Sequence, residues 1–145
     1  MKSISVYLTF AGNTENAFNF YQKILGGKLE LFRYKDMPES NKLSESDQNK
    51  IMHVSLVLPN NHTIMASDKI DSMPSCNDYK FIIGNNFSIS MDFESEDEAK
   101  KVFKALSDGG TITMPLQKTF WNAYFGMLID KFGVQWMFNH DYSQT

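Results

Sequence analysis

Two segments of the chain carry apolar residues at the spacing of an amphipathic helix. The first follows Asn13, a residue type that caps helices, and the second follows Ser95, which is placed to form a capping box with Glu98. The apolar positions at i, i+3, i+4 and i+7 are Ala17, Phe20, Tyr21 and Ile24 in the first helix and Ala99, Val102, Phe103 and Leu106 in the second.

Around these helices, apolar and polar residues alternate as they do in half-buried strands. The first strand would turn Leu8 and Phe10 to one side and Tyr7 and Thr9 to the other. The polar stretch 35–50 interrupts the pattern and predicts a mobile loop. The strands predicted in this way are 4–10, 28–34, 52–58, 63–67, 88–93, 111–114, 124–129 and 134–139.

The two halves of the pattern match. Four features of the first half recur 83 residues later and three others recur 72 residues later, which indicates a duplicated strand–helix–strand–strand–strand unit. We therefore predict an α+β fold of two tandem βαβββ modules in one domain, 1–145: module one 1–68, linker 69–86, module two 87–140 and a short tail 141–145. The matched pairs are Phe10/Phe93, Glu15/Glu98, Phe20/Phe103, Gly26-Gly27/Gly109-Gly110, Asn61/Gly133, Ile64/Trp136 and Met65/Met137.

Composition narrows the functional classes. With a net charge of -3 and scattered basic residues, the chain offers no clustered basic surface for nucleic acid. No apolar stretch approaches the length that spans a bilayer, and the first residues enter a strand pattern at once. The single Cys76 fits a reducing compartment and has no histidine or basic residue near it in sequence to make it a nucleophile. We expect a cytoplasmic protein with neither nucleic-acid nor membrane partners.

If each helix covers one face of its sheet, the opposite faces carry small polar groups. Two curved sheets of this kind would form an open barrel-like cleft able to hold a small molecule. A solvated sheet face without a ligand explains the same pattern. The candidate cleft residues on and beside the strands are Ser5, Tyr7, Thr9, His53, Ser55, Asp68, Ser88, Ser90 and Asp92.

The chain resembles the PhnB-like branch of the glyoxalase / bleomycin resistance / extradiol dioxygenase superfamily, also called vicinal oxygen chelate. The resemblance covers nearly the whole chain, and its final block is the most specific part. It implies the fold of that superfamily, with its cleft, and a homodimer. The segments that carry it are 7–13, 17–21, 26–27, 52–53, 65–68, 109–110, 114–121, 125–126 and 130–137.

The resemblance also implies where a metal site would lie. Members that use a metal place His or Gln at the start of the first strand of a unit and Glu in its fourth strand. The matching residues here are Ser5, Met65, Ser88 and Met137, none of which is a credible ligand for a divalent cation. We therefore expect no metal and no other cofactor.

His53 is the one candidate for acid–base chemistry. It begins a predicted strand that also carries Ser55, and Asp68 and Asp92 are possible carboxylate partners. An imidazole that bonds the backbone or supports a dimer is the preferred interpretation, because no partner is evident in the sequence. His62, in a predicted turn, and His140, near the end of the chain, are expected to be solvated.

An aromatic run at 120–125 is the other conspicuous feature. Trp121 and Phe125 could hold a planar ligand, although the same residues fill cores and subunit contacts equally well. Relatives with this block usually have Gly after the Trp, whereas this chain has Asn122, which puts the shape of the pocket in question.

The function that these observations favour is the binding of an unknown small organic molecule without a metal. The first alternative is an enzyme of the isomerase or lyase type, either metal-dependent through substitute ligands such as His53 or an acid–base catalyst, so whether the protein is an enzyme stays open. The second is a dimeric interaction module with a vestigial cleft. A ubiquinone-pathway methyltransferase does not fit, because the chain lacks a Rossmann-type cofactor loop.

Overall fold

The computed structural model describes residues 1, 3–72 and 80–144. The chain divides into two compact units, unit 1 (Met1–Ile82) and unit 2 (Ile83–Thr145). The prediction for Cys76 lies outside the described residues. In the part of the chain that is described, no helix is long and apolar enough to cross a membrane.

Unit 1 is a four-stranded mixed sheet with one main helix. The strand order is β1-β4-β3-β2, in which β1 and β4 run parallel and the other neighbours antiparallel. The elements are β1 (Val6–Phe10), α1 (Thr14–Leu25), β2 (Lys28–Arg33), α2 (Glu45–Gln48), β3 (Ile51–Val57) and β4 (Thr63–Asp68).

Unit 2 repeats this arrangement. Its strand order is β5-β8-β7-β6, again with the first pair parallel and the other pairs antiparallel. The α+β class and the two βαβββ modules are thus confirmed. The elements are β5 (Ile89–Asp92), α3 (Glu96–Leu106), β6 (Thr111–Lys118), β7 (Ala123–Ile129) and β8 (Gln135–Asp141), followed by a 3₁₀ turn at Tyr142–Gln144.

The prediction for β6 was too short. The strand continues past Pro115 to Lys118, and its pairing with β7 shifts register between Ile112 and Met114 and again between Met114 and Gln117. Proline has no N–H to donate to a ladder, so it is tolerated in a strand where pairing is interrupted in this way. The proline ended the alternating pattern in the sequence without ending the strand.

Helix α1 buries a different stripe from the one predicted. Ala17, Phe18 and Tyr21 are fully buried, whereas Phe20 and Ile24 are half-buried. Phe18 packs edge-on against Phe10 of β1, with the ring centroids 6.4 Å apart. The apolar stripe is wide enough for two helix rotations to fit the spacing, and contact with the sheet selects the one that includes Phe18.

The two helices begin in different ways. In α3, Ser95 accepts the N–H of Glu98 at 3.2 Å, as the capping pattern predicts. In α1, the side chain of Asn13 makes no capping hydrogen bond, so the prediction for that residue was wrong. The carboxylate of Asp68, at the end of β4, accepts the N–H of Thr14 in its place.

The stretch 35–50 is not a simple loop, contrary to the prediction. It holds 3₁₀ turns at Tyr34–Asp36 and Ser40–Lys42 and the short helix α2. Asp47 of α2 is buried and accepts hydrogen bonds from the N–H of Ser72 at 2.8 Å, from the Ser72 hydroxyl and from Nζ of Lys50 at 2.9 Å. These bonds attach α2 to the segment that follows β4.

The Asp47 cluster predicts acid sensitivity. The hydroxyl of Ser72 and the ammonium of Lys50 hold the pKa of Asp47 below its ordinary value of 3.8. Since the folded-state pKa is lower than the unfolded one, the stabilisation is complete above the unfolded value and is lost as the pH falls below it. We expect Asp47→Asn to lower the free energy of unfolding by about 2 kcal/mol at neutral pH.

Urea denaturation at a series of pH values measures this effect. The difference between the wild type and Asp47→Asn should shrink as the pH falls below about 4, because the unfolded wild type then takes up a proton on this carboxyl group that the folded protein does not. Glu45→Gln, an exposed position on the same helix, is the matched control and should change little. If the difference in the free energy of unfolding between the wild type and Asp47→Asn stayed constant with pH, the pKa of Asp47 would not be depressed in the folded protein.

Candidate functional site

The sheet of unit 1 has one covered face and one open face. Leu8, Val54, Leu56 and Ala66 alternate along the strands as buried residues on the side of α1. The residues between them point the other way and are exposed or half-buried. The open face of unit 1 is formed by Tyr7, Thr9, Phe32, His53, Ser55, Met65 and Ser67, with Lys28, Glu30, Val57 and Thr63 at its margin.

His53 and Tyr7 meet on this face. They lie on β3 and β1, and their side chains reach each other across β4, which separates the two strands. The hydroxyl of Tyr7 is 3.3 Å from Nδ1 of His53, and the ring centroids are 5.8 Å apart. The structure thus brings together two predicted candidates that are 46 residues apart and gives His53 the side-chain partner that the sequence did not reveal.

Phe32 of β2 joins this pair and was missed by the sequence analysis. It lies opposite His53 in the β2–β3 register and its side chain is 52% exposed. The signal was present, because Leu29 and Leu31 alternate with Glu30 and place Phe32 on the polar side of the strand.

Asp68 does not belong to the open face, so its prediction as a cleft residue and a partner for His53 was wrong. Its side chain is buried on the opposite side of β4. Oδ1 accepts hydrogen bonds from the N–H groups of Gly12 and Thr14, at 3.0 and 3.1 Å, and from the Thr14 hydroxyl. Oδ2 accepts the N–H of Ile51 at 2.8 Å. The hydrogen bonds of this carboxylate position the start of α1 and the start of β3.

Tyr34 lies just after β2, and its hydroxyl donates to the backbone carbonyl of Asp68 at 3.2 Å. Burial raises the pKa of Tyr34, and the nearby Tyr7 raises it further. Tyr34 therefore stays a neutral donor near neutral pH.

Unit 2 has an open face of its own. Ser90 lies opposite Met137, and Asp92 lies opposite Asn139, whose side-chain amide donates to its carboxylate at 2.8 Å. Ser88 precedes β5 and is half-buried. The open face of unit 2 is formed by Ser90, Asp92, Phe125, Met127, Met137 and Asn139.

The aromatic run forms the turn between β6 and β7. Phe120 is 96% exposed and Trp121 is 51% exposed, and the Trp121 ring packs edge-on against Phe125 at 5.8 Å between centroids. Asn122 has a φ of 64°, in the left-handed region that Gly favours and Asn tolerates. Asn at this position is therefore compatible with a turn built for Gly.

The positions that correspond to metal ligands do not form a metal site. Ser5 and Ser88 lie just outside their strands, and Met65 and Met137 lie on the two open faces. Among the residues that the structure describes, no group of three or more His, Cys, Asp or Glu side chains is placed to hold a metal ion. The described residues at these positions therefore do not fit a divalent cation.

His140 is not solvated, contrary to the prediction. It is buried, and its Nδ1 lies 2.8 Å from the backbone carbonyl of Phe93. It falls 72 residues after Asp68, so this duplicated position near the end of the fourth strand is a buried polar residue in both units. His62 is exposed in the turn between β3 and β4, as predicted.

Comparison with known proteins gives consistent matches along the chain. Residues 2–138 match the profile of the family described as 3-demethylubiquinone-9 3-methyltransferase. Protein YjdN of Escherichia coli strain K12 is 33% identical over 146 residues, which covers 94% of this chain and 93% of that protein.

Solved structures extend this comparison. Protein PA1353 from Pseudomonas aeruginosa is 41% identical, with a TM-score of 0.82 over 97% of this chain and 98% of that one. The putative 3-demethylubiquinone-9 3-methyltransferase, PhnB protein, from Bacillus cereus is 26% identical, with a TM-score of 0.71 over 96% and 99%. A glyoxylase/bleomycin resistance protein/dioxygenase domain from Frankia sp. EAN1pec, 14% identical with a TM-score of 0.65 over 100% and 96%, shares the fold.

Proposed function

The chain belongs to the PhnB-like family, described as 3-demethylubiquinone-9 3-methyltransferase, and from that premise we propose that it binds a small organic molecule without a metal ion. The observation that carries the proposal is the makeup of the two open faces. They combine hydroxyl groups with aromatic rings, as ligand sites do, while the positions of metal ligands hold Ser and Met. We further propose that the protein is a cytoplasmic homodimer.

We do not extend the methyltransferase activity in the family's description to this chain. The sequence lacks the Gly-x-Gly-x-x-Gly segment of a Rossmann-type cofactor loop. Each sheet contains a single parallel strand pair, whereas the folds built around such a loop have mostly parallel sheets.

A thermal-shift screen of metabolites and antibiotics tests the proposal. A ligand at a hundred times its Kd contributes about 2.7 kcal/mol to stability, so we expect at least one compound to raise the Tm by several degrees. Ser55→Leu, which adds bulk to the open face of unit 1, should reduce the shift given by a ligand bound there, and Ser90→Leu should do so for unit 2.

Lys23→Ala is the matched control, because Lys23 is exposed on α1, away from both open faces. It should retain the full shift. A screen without any stabilising compound, or a shift that survives both leucine variants, would favour the interaction module instead. Elemental analysis of protein purified without added metal should give no stoichiometric Ni, Zn, Mn or Fe, and a stoichiometric metal would contradict the metal-free part of the proposal.

A further inference from the structure

The contact between Tyr7 and His53 determines more than the position of the imidazole. A phenol hydroxyl is a good donor with a weakly basic oxygen, whereas a neutral imidazole nitrogen is a good acceptor. The favourable arrangement across the 3.3 Å gap is therefore one in which the Tyr7 hydroxyl donates to Nδ1. The imidazole proton then lies on Nε2, because the bond at one ring nitrogen selects the tautomer.

The Nε2–H group produced in this way is a donor available to a ligand. Within the described residues, the only hydrogen bond of the His53 side chain is the one at Nδ1. The side chain is half-buried, so Nε2 can reach a molecule on the open face without first losing a protein partner. No described group accepts a hydrogen bond from Nε2, so a ligand oxygen would be its acceptor.

The surroundings of the pair restrict the kind of acceptor. Tyr7 and Phe32 each expose about half of their surface, at 51% and 52%, which offers flat apolar area beside the imidazole. The ammonium of Lys28, at the margin, is held by Glu30 at 2.6 Å. An anionic ligand would lose hydration beside these rings and would have to compete with Glu30 for the Lys28 ammonium, so a neutral acceptor is favoured.

The pair exists in unit 1 only. The positions that correspond to Tyr7 and His53 in the duplicated pattern are Ser90 and Phe125, which cannot form the same contact. A side-chain contact that the fold itself requires would be expected in both units. The dyad therefore points to a specialised role for the open face of unit 1.

We propose that Tyr7 and His53 form a hydrogen-bonding site for the carbonyl oxygen of a neutral, flat organic molecule, with Nε2–H of His53 as the donor and the Tyr7 and Phe32 rings as its apolar walls. Tyr7 has two roles in this site, since its ring contacts the ligand and its hydroxyl positions the His53 imidazole. The proposal rests on the proposed function and names the class of ligand bound by unit 1.

Long-range ¹H–¹⁵N NMR of the imidazole tests the tautomer without any ligand. At a pH of about 8, where an ordinary imidazole is neutral, the wild type should show His53 with its proton on Nε2 alone. Tyr7→Phe should allow the Nδ1–H form to appear, while the exposed His62 should be unchanged in the same spectra. A wild-type His53 protonated on Nδ1 would overturn the proposal, whatever the thermal-shift screen gives.

Titration with acetophenone, a flat neutral carbonyl compound, tests the ligand class. His53→Ala should weaken binding about tenfold and His62→Ala should leave it unchanged, where tenfold corresponds to 1.4 kcal/mol. Benzoate, which has the same ring but a full charge, should bind more weakly than acetophenone.

Equal acetophenone affinity for the wild type and His53→Ala, or tighter binding of benzoate, would overturn this inference. Either result would leave the proposed function standing if the screen finds another ligand that Ser55→Leu or Ser90→Leu excludes. A screen without any ligand would instead remove the proposed function, and the tautomer measurement tells the two failures apart.

Discussion

Replacing Gly27 by alanine is expected to lower the free energy of unfolding by roughly 4 kcal/mol, because two separate penalties meet there. A Cβ at Gly27 would lie 2.3 Å from the carbonyl oxygen of Val57, closer than any real contact, so strand β3 would have to move. The residue also has a φ of 95°, in the left-handed region that costs a non-glycine residue about 1–3 kcal/mol. Urea denaturation followed by circular dichroism measures the change.

Replacing Gly110 separates the cost of moving the backbone from the cost of a left-handed φ. This residue is the duplicated counterpart of Gly27, and a Cβ there would lie 2.3 Å from the carbonyl oxygen of Ile129, but its φ is not left-handed. Gly110→Ala should therefore cost about 2 kcal/mol, from the displacement alone. Gly84→Ala is the control, since its Cβ would meet nothing closer than 3.6 Å. Equal stability of all three variants would show that the close approaches are absent in solution.

These glycines explain why the duplication could be read from the sequence. In each unit a main helix ends where the chain passes directly over the third strand, and only glycine fits under the carbonyl group. That constraint requires glycine at one position just after the helix, so the same residue recurs at the same place in both units of the sequence. The helices and most strands were predicted for a similar reason, because each buries one side of a regular period.

Contacts between distant segments could not be predicted in this way. The polar stretch 35–50 has no apolar period, and its order comes from Asp47, which meets Ser72 25 residues later. The Tyr7–His53 contact likewise depends on strand order, which places β1 and β3 on either side of β4. Predicting such contacts requires the register of the whole sheet. Alternation within one strand shows only on which side of the sheet each residue lies.

Asp68 is another residue whose contacts could not be predicted from the sequence, and the prediction placed it on the wrong face of the sheet. As a polar residue at the end of a strand, it was expected in a cleft, yet its carboxylate is the acceptor for four donors from Gly12, Thr14 and Ile51. Asp68→Ala would leave the N–H groups of Thr14 and Ile51 buried without that acceptor. We expect a loss of roughly 4 kcal/mol in the free energy of unfolding.

Matched variants separate this anchoring role from a general effect of losing a charge. Asp71→Asn removes an exposed carboxylate three residues away and should change stability by less than about 0.5 kcal/mol. Thr14→Val deletes one donor and keeps the side-chain shape, and its effect should be non-additive with Asp68→Ala, because both remove the same hydrogen bond. Since Asp68 positions α1 and β3 from the covered side of the sheet, its loss should also disturb the Tyr7–His53 contact on the open side. Additive effects of Thr14→Val and Asp68→Ala would mean that the carboxylate does not hold the start of α1.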